Sequence, residues 1–240
     1  MKISFIIPTR NEEKSIETLL QCLSHYSDEK EIIVADGNST DRTVALVKRY
    51  ADKIVLQNRD ISQTIGAGRN EGARVATGDY LVFLDADCYI KNPDDFFTLA
   101  MKSFARDNEL VAITGRLRVS DYLETFTDKM VFEFVNHYHR FLNNVLHVGS
   151  ASGEFQMIKR PAFEQLGGFN EVLVIGEDFD MFRRLAHAGK TRYEKSLTIY
   201  HTGRRAHTIG WPKLLSLWII NALSIMLLKR SINKEWKVIR

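Results

Sequence analysis

Tyr80-Leu81-Val82-Phe83-Leu84-Asp85-Ala86-Asp87 is an apolar run too short for a helix that ends in two carboxylates one residue apart. A short, continuously apolar segment bounded by polar residues suits a strand covered on both faces. Runs of the same kind recur at Ile3 to Ile7, Ile32 to Ala35, Ile54 to Leu56 and Leu110 to Thr114. Between the first two, Ile16, Leu19, Leu20 and Leu23 repeat at helical spacing behind Asn11, which could cap a helix. A second stripe, Val44, Val47 and Tyr50, follows Ser39 to Asp41. Strands alternating with helices predict an α/β fold: a mainly parallel central sheet flanked by helices, with ligands bound outside the carboxyl ends of the strands.

Farther along, Tyr122, Phe126, Met130, Phe134 and Tyr138 fall four residues apart, with His137, His139 and His147 nearby. This spacing predicts a long helix over Asp121 to His147 whose aromatic stripe packs as core or lid. A strand near Phe155 to Ile158, a helix opened by Pro161, a Gly167-Gly168 turn, a helix from Glu177 to Ala188 and a strand at Leu197 to Tyr200 follow. A strongly apolar C-terminal helix is predicted over Lys213 to Arg230. It is shorter than the roughly 20 apolar residues a bilayer span needs. Trp211, Lys213, Lys229, Arg230 and Trp236 at its ends suit either a helix lying in a membrane interface or one packed on the domain.

The 240 residues can form one sizeable domain with a short appendage. Hydrophobic residues at 45% and charged residues at 26% exclude a disordered, collagen-like or low-complexity chain. Cys22 and Cys88 lack metal-type spacing, and Lys2 to Pro8 lacks the basic start and cleavage site of a secretory signal; both point to the cytoplasm. The net charge of +3 hides an asymmetry, because 13 of the 33 Lys and Arg but only two of the 30 acids fall from Arg183 onward. Such a basic end suits a membrane surface on the cytoplasmic face, a phosphorylated substrate or simple solvation. No nucleic-acid-binding motif accompanies it.

Three constellations carry chemistry. Asp85 and Asp87, at a strand's carboxyl end, are hard oxygen ligands of the kind that hold Mg2+ or Mn2+ against a diphosphate. Asp36, in Val34-Ala35-Asp36-Gly37-Asn38-Ser39-Thr40-Asp41, can accept hydrogen bonds from a base or ribose, or form the turn into the next helix. Gly176-Glu177-Asp178-Phe179-Asp180 offers carboxylates for proton abstraction from an acceptor hydroxyl, or ordinary partners of a helix dipole.

Taken in order, Ile6-Ile7-Pro8-Thr9-Arg10-Asn11-Glu12-Glu13, the Asp36 segment, Arg69-Asn70-Glu71-Gly72-Ala73, Gly78-Asp79, Leu84-Asp85-Ala86-Asp87, Gly168-Phe169 and Gly176-Glu177-Asp178 resemble family 2 glycosyltransferases of the GT-A fold. The resemblance covers roughly residues 1 to 205. It implies a nucleotide-sugar-binding half (1–119) and an acceptor-binding half (120–205), and the charge and apolar pattern beyond them make 206–240 a basic amphipathic helical appendage. The implied activity moves a sugar from a nucleoside-diphosphate sugar to an acceptor hydroxyl on a glycan, lipid or small molecule, by an inverting single displacement. Pro8, Thr9, Arg10 and Glu12 would line the nucleotide, with Asp36 at the base or ribose, Arg69 at the base or phosphates, and Asp85 and Ala86 beside the diphosphate. Asp87, Asp85 and His201 would hold the divalent cation, and Asp178, with Glu177 beside it, would serve as base. Peripheral membrane contact would run through the C-terminal helix.

Two positions depart from the family's pattern. Gly37 stands where a second acid is common, and Arg10 where an aromatic is frequent. A sugar-1-phosphate nucleotidyltransferase would carry a Gly-rich basic loop after the first strand, which Pro8 to Glu13 does not resemble. A non-catalytic nucleotide-sugar-binding module would have no need of all three acidic clusters.

Overall fold

The computed structural model describes residues 1–57 and 64–228. Strands β1 (Ile3–Thr9), β2 (Lys30–Asp36), β3 (Lys53–Leu56) and β4 (Tyr80–Leu84) lie side by side in the order β3-β2-β1-β4, all parallel. Their alternate residues feed two cores. Phe5, Ile7, Val82 and Leu84 meet one face with Ile16, Leu19, Leu20 and Leu23 of α1 (Ile16–Ser24), while Ile6, Ile33, Leu81 and Phe83 meet the other with Phe163, Phe169 and Phe182. Two-sided burial is why these strands read as unbroken apolar runs.

The sheet continues β7-β6-β8-β5 beyond β4 and stays mainly parallel, as expected, with reversed strands that the sequence does not mark. Strand β7 (Phe155–Lys159) is antiparallel to β4 and to β6 (Leu110–Val119). Strand β8 (Lys190–His201) returns parallel to β6, and the short β5 (Cys88–Tyr89) is antiparallel to β8. The sheet is mixed because two strands run reversed, β7 at its middle and β5 at its edge. Apolar runs report burial but carry no direction, so sequence could not reveal it. Strands β6 and β8 also extend well past their apolar segments, through polar positions that alternate with buried ones.

The connections are helical: α2 (Thr43–Val47), α3 (Ile65–Arg74), α4 (Pro93–Arg106), α5 (Phe126–Asn144), α6 (Arg160–Gln165), α7 (Glu177–Ala188), α8 (Arg204–Ile209) and α9 (Trp211–Leu228). Sequence inspection did not mark α4. Its start is nevertheless conventional, with Pro93 in the first turn and the Asn92 side chain accepting from the Asp95 N–H at 3.3 Å. Asn11 is not the cap of α1. It takes a left-handed φ of 56°, its Oδ1 accepts from Thr40 N at 2.7 Å, and Ser15 occupies the N-cap position.

Helix α5 reverses the second expectation. Its aromatic stripe faces outward, with Phe126 77%, Met130 60%, Phe134 73% and Tyr138 44% exposed. The buried side holds Asp128, Phe132, Asn136, His139 and Asn143. Those polar groups have fixed partners: Asn136 bridges the N–H and C=O of Leu117, and Asn143 donates to the carbonyls of His139 and Ser150. Hydrogen bonding offsets their desolvation, so the polar side packs inward and the larger apolar side is left outside.

Among the described residues, no helix is long and apolar enough to cross a membrane. Lys229, Arg230 and Trp236, expected to flank the C-terminal helix, lie outside the described residues.

Candidate active site

The carboxyl ends of β1, β2 and β4 deliver Thr9, Asp36 and Asp85 to one edge of the sheet. Asp36 is buried. Its Oδ2 accepts the Thr9 hydroxyl at 3.0 Å and its Oδ1 the Ser39 N–H at 2.9 Å, so it fixes the turn after β2 as well as lining the edge. The backbone is tight there, with Gly37 N–H donating to the Thr9 carbonyl at 2.7 Å. Pro8 is half-buried opposite Ala35, and Arg10 is exposed just beyond the strand. Ala86 packs its methyl into the core, so only its backbone can meet a ligand.

Arg69, on α3, is 1% exposed. Its guanidinium donates to Glu177 Oε1 at 2.7 Å, to Asp85 Oδ1 at 2.9 Å and to the Gly153 carbonyl at 3.2 Å. Its flat face lies 5.3 Å from the Phe169 ring centre. Thus Arg69 does not offer an open cationic group to a base or phosphate. It ties Asp85, at the end of β4, to Glu177, the first residue of α7.

Asp178, the next residue on α7, points its Oδ1 at the Phe179 N–H at 2.7 Å. Burial pushes its carboxyl up to about 6; Arg69 draws it down, and Glu154 and Asp85 push it further up. Glu154 itself was not singled out from sequence. Continuing the register in which Leu84 faces Phe155 puts Glu154 opposite Asp85, and burial with the Asp85 charge pushes it up to about 7. The reversed direction of β7 is what brings it here. An acid directly before the apolar Phe155 to Ile158 segment was the available signal.

A second cationic link runs through Arg204, at the start of α8. It pairs with both oxygens of Glu12, at 2.6 and 2.8 Å, and its Nε reaches Asp87 Oδ2 at 3.3 Å. Thr202 Oγ1 donates to the same Asp87 oxygen at 2.5 Å. Glu12, expected at the nucleotide, therefore acts in this structure as the partner of Arg204.

His201 is buried beside this group, paired in the β5–β8 ladder with Cys88. Burial lowers its pKa and keeps the ring neutral, against the pull of Asp87 and Asp85. Gly203 N–H donates to Nδ1 at 3.1 Å, and Nε2 is buried without a hydrogen-bond partner. Among the described residues, no three acid, histidine or cysteine groups stand close enough to hold a metal ion in their present positions. The chemistry of the donors still fits one. Glu12, Asp85, Asp87, Glu154, Glu177 and Asp178 gather around the guanidinium groups of Arg69 and Arg204, leaving carboxylates in excess beside the unpartnered imidazole nitrogen. Such an excess is relieved by a hard divalent cation. Ligation by Nε2 requires the ring proton to sit on Nδ1 and the Gly203 N–H to turn away.

The chain is similar to known glycosyltransferases in sequence and in fold. A 4,4'-diaponeurosporenoate glycosyltransferase of Staphylococcus haemolyticus is 29% identical across 90% of this chain and 61% of its own length. A poly(ribitol-phosphate) beta-glucosyltransferase of Bacillus spizizenii is 31% identical across 49% of this chain and 19% of its own. The chain thus spans less than two thirds of the length of each of these relatives. Among solved structures, the mannosyltransferase PcManGT from Pyrobaculum calidifontis, in complex with GDP-Man and Mn2+, superimposes with a TM-score of 0.73 at 23% identity, over 93% of this chain and 64% of that one. Staphylococcus aureus TarS 1-349 in complex with UDP gives 0.65 at 22% identity, over 83% of this chain and 60% of that one. At that identity the likeness establishes the fold, which is that of the GT-A glycosyltransferases. Residues 4–167, most of the chain, match glycosyl transferase family 2, and the chain belongs to that family.

Proposed function

We propose that the protein transfers a sugar from a nucleoside-diphosphate sugar to an acceptor hydroxyl by a single displacement that inverts the anomeric centre. The observation that carries this reading is the Arg69 bridge, which holds the strand-end acid Asp85 and the α7 acids Glu177 and Asp178 at one site. The curated relatives named above are glycosyltransferases, and PcManGT and TarS are described with nucleotide or nucleotide-sugar bound.

In this reading Asp178 removes the acceptor proton as the hydroxyl oxygen attacks. The bond between the anomeric carbon and the diphosphate oxygen breaks, and its electron pair leaves with the nucleoside diphosphate. Asp178 suits the task because burial raises its affinity for a proton toward that of a useful base. Thr9, Asp36 and the backbone after β1 would orient the nucleoside, and Arg204 is near enough to Asp87 to bear on the departing charge. A divalent cation, Mn2+ or Mg2+, held by Asp85, Asp87 and His201, would neutralise the diphosphate.

The test is nucleoside diphosphate release from a panel of nucleotide sugars, with and without Mn2+. Asp87→Ala and Asp178→Asn should each lower turnover by about a hundredfold or more while the fold persists. Near-normal turnover by either variant overturns the assignment.

A further inference from the structure

The outward face of α5 is the largest run of exposed apolar side chains on a single helix among the described residues. Phe126, Met130, Phe134, Tyr138, Phe141 and Val145 follow one another at intervals of three or four, and all are exposed. The helix is 19 residues long, about 28 Å at the usual rise per residue. Soluble proteins seldom leave a continuous apolar stripe of this length facing water.

Charge distinguishes among its possible occupants. Lys129 and Arg140 lie exposed at one edge of the stripe, and neither enters an ion pair among the described residues. Arg183 adds a third cation, near Tyr138 and over the Phe179 ring at 5.8 Å. The acids of this helix are already committed. Glu133 pairs with Arg116, and Asp128 is fully buried against Trp211 and His207. At the helix entrance Asp121 and Glu124 are both bound by Arg118. Seen from outside, the face is apolar and aromatic with a cationic rim. A second copy of the same face would bring matching cations together without free acids to answer them.

We propose that this face of α5 rests on an anionic membrane surface, with Phe126, Phe134 and Phe141 sinking between headgroups and Lys129 and Arg140 lying among lipid phosphates. An amphipathic helix of this pattern lies flat in the interface and gains from both apolar burial and attraction to anionic lipid. This contact differs from the one expected through the C-terminal helix, and it does not depend on which sugar is transferred. It would hold the site beside the bilayer.

The full chain should sediment with vesicles of equal parts phosphatidylcholine and phosphatidylglycerol, less with phosphatidylcholine alone, and less again as salt is raised. Phe126→Gln with Phe134→Gln should weaken vesicle binding by about tenfold or more, because two of the largest exposed apolar groups are lost. The same variant should keep the wild-type melting temperature and the wild-type thermal shift on adding a nucleotide sugar. Lys129→Gln with Arg140→Gln should remove most of the preference for anionic vesicles. The proposal is overturned if the wild type ignores vesicles or if the double Phe variant sediments like wild type. It is equally overturned if the wild type self-associates in ultracentrifugation and the Phe variant merely dissolves that association.

Discussion

Glu12 and Arg204 meet as a two-pronged ion pair, Nη1 to Oε2 at 2.6 Å and Nη2 to Oε1 at 2.8 Å, although 192 residues separate them in the chain. The pair fastens the loop after β1 to the segment after β8, and Arg204 reaches from it to Asp87. Glu12→Gln and Arg204→Met should each destabilise the fold by about 1–3 kcal/mol, since each strands a charged hydrogen-bonding partner. A double-mutant cycle by urea denaturation should return a coupling energy of about 1–3 kcal/mol. Additive single effects would show that the contact contributes little.

Arg69 presents the sharper case, because its guanidinium is almost wholly enclosed between Asp85 and Glu177. Arg69→Met leaves two acids without their cation and should lower stability by about 3–5 kcal/mol. Adding Glu177→Leu should restore much of that loss, since a buried ion pair can be exchanged for apolar packing at little cost. Transfer activity should stay absent in both, because Asp85 has lost the group that orients it. Chemical denaturation and nucleoside diphosphate release, measured on the same preparations, separate the two effects.

Asp178 should write itself into the pH profile. A base must be ionised to accept a proton, and this carboxyl is raised to about 6, so turnover should fall as pH drops through about 6. The same shift has a stability sign. A carboxyl whose folded pKa lies above its unfolded value penalises the fold once pH exceeds both values. At neutral pH, Asp178→Asn should therefore be at least as stable as the wild type while nearly inactive. A melting temperature well below wild type would contradict this.

Glu31 behaves oppositely. Burial pushes its carboxyl up, but Lys53, the Ser4 and Thr77 hydroxyls and the Thr77 N–H outweigh that and bring it down to about 2. A depressed folded pKa gives stability that is complete above the unfolded value of 4.5 and is lost as pH falls from there toward about 2. Glu31→Gln should cost about 2 kcal/mol at neutral pH and flatten the acid limb of the denaturation profile.

What could be read from sequence divides along physical lines. The first four strands were legible because residues such as Phe5, Ile6, Val82 and Phe83 are buried on both faces, which leaves an unmistakable apolar run. Asp36, Asp85 and Asp178 stood out because the first two close strands and the third opens a helix, positions that the structure also gives them. The direction of β7 left no trace, since pairing partners are chosen in three dimensions, and with it went the position of Glu154. Helix α5 was found but turned inside out. Its stripe of Phe and Met has the stronger apolar pattern, yet Asn136 and Asn143 complete hydrogen bonds that only the inward orientation supplies. The family resemblance placed Arg69 and Glu12 at the ligand, whereas the structure commits them to other side chains.

Asp128 has a consequence of its own. It closes the capping box of α5 with Thr125, and the same carboxylate receives the Trp211 indole N–H at 2.7 Å while lying 2.7 Å from His207 Nε2. Starting that helix and docking α8 and the first residue of α9 are thus governed by one side chain. The two should open together as a single cooperative unit, so amides in the first turn of α5 and in α8 should exchange with solvent at matched rates, apart from the slower strands beneath.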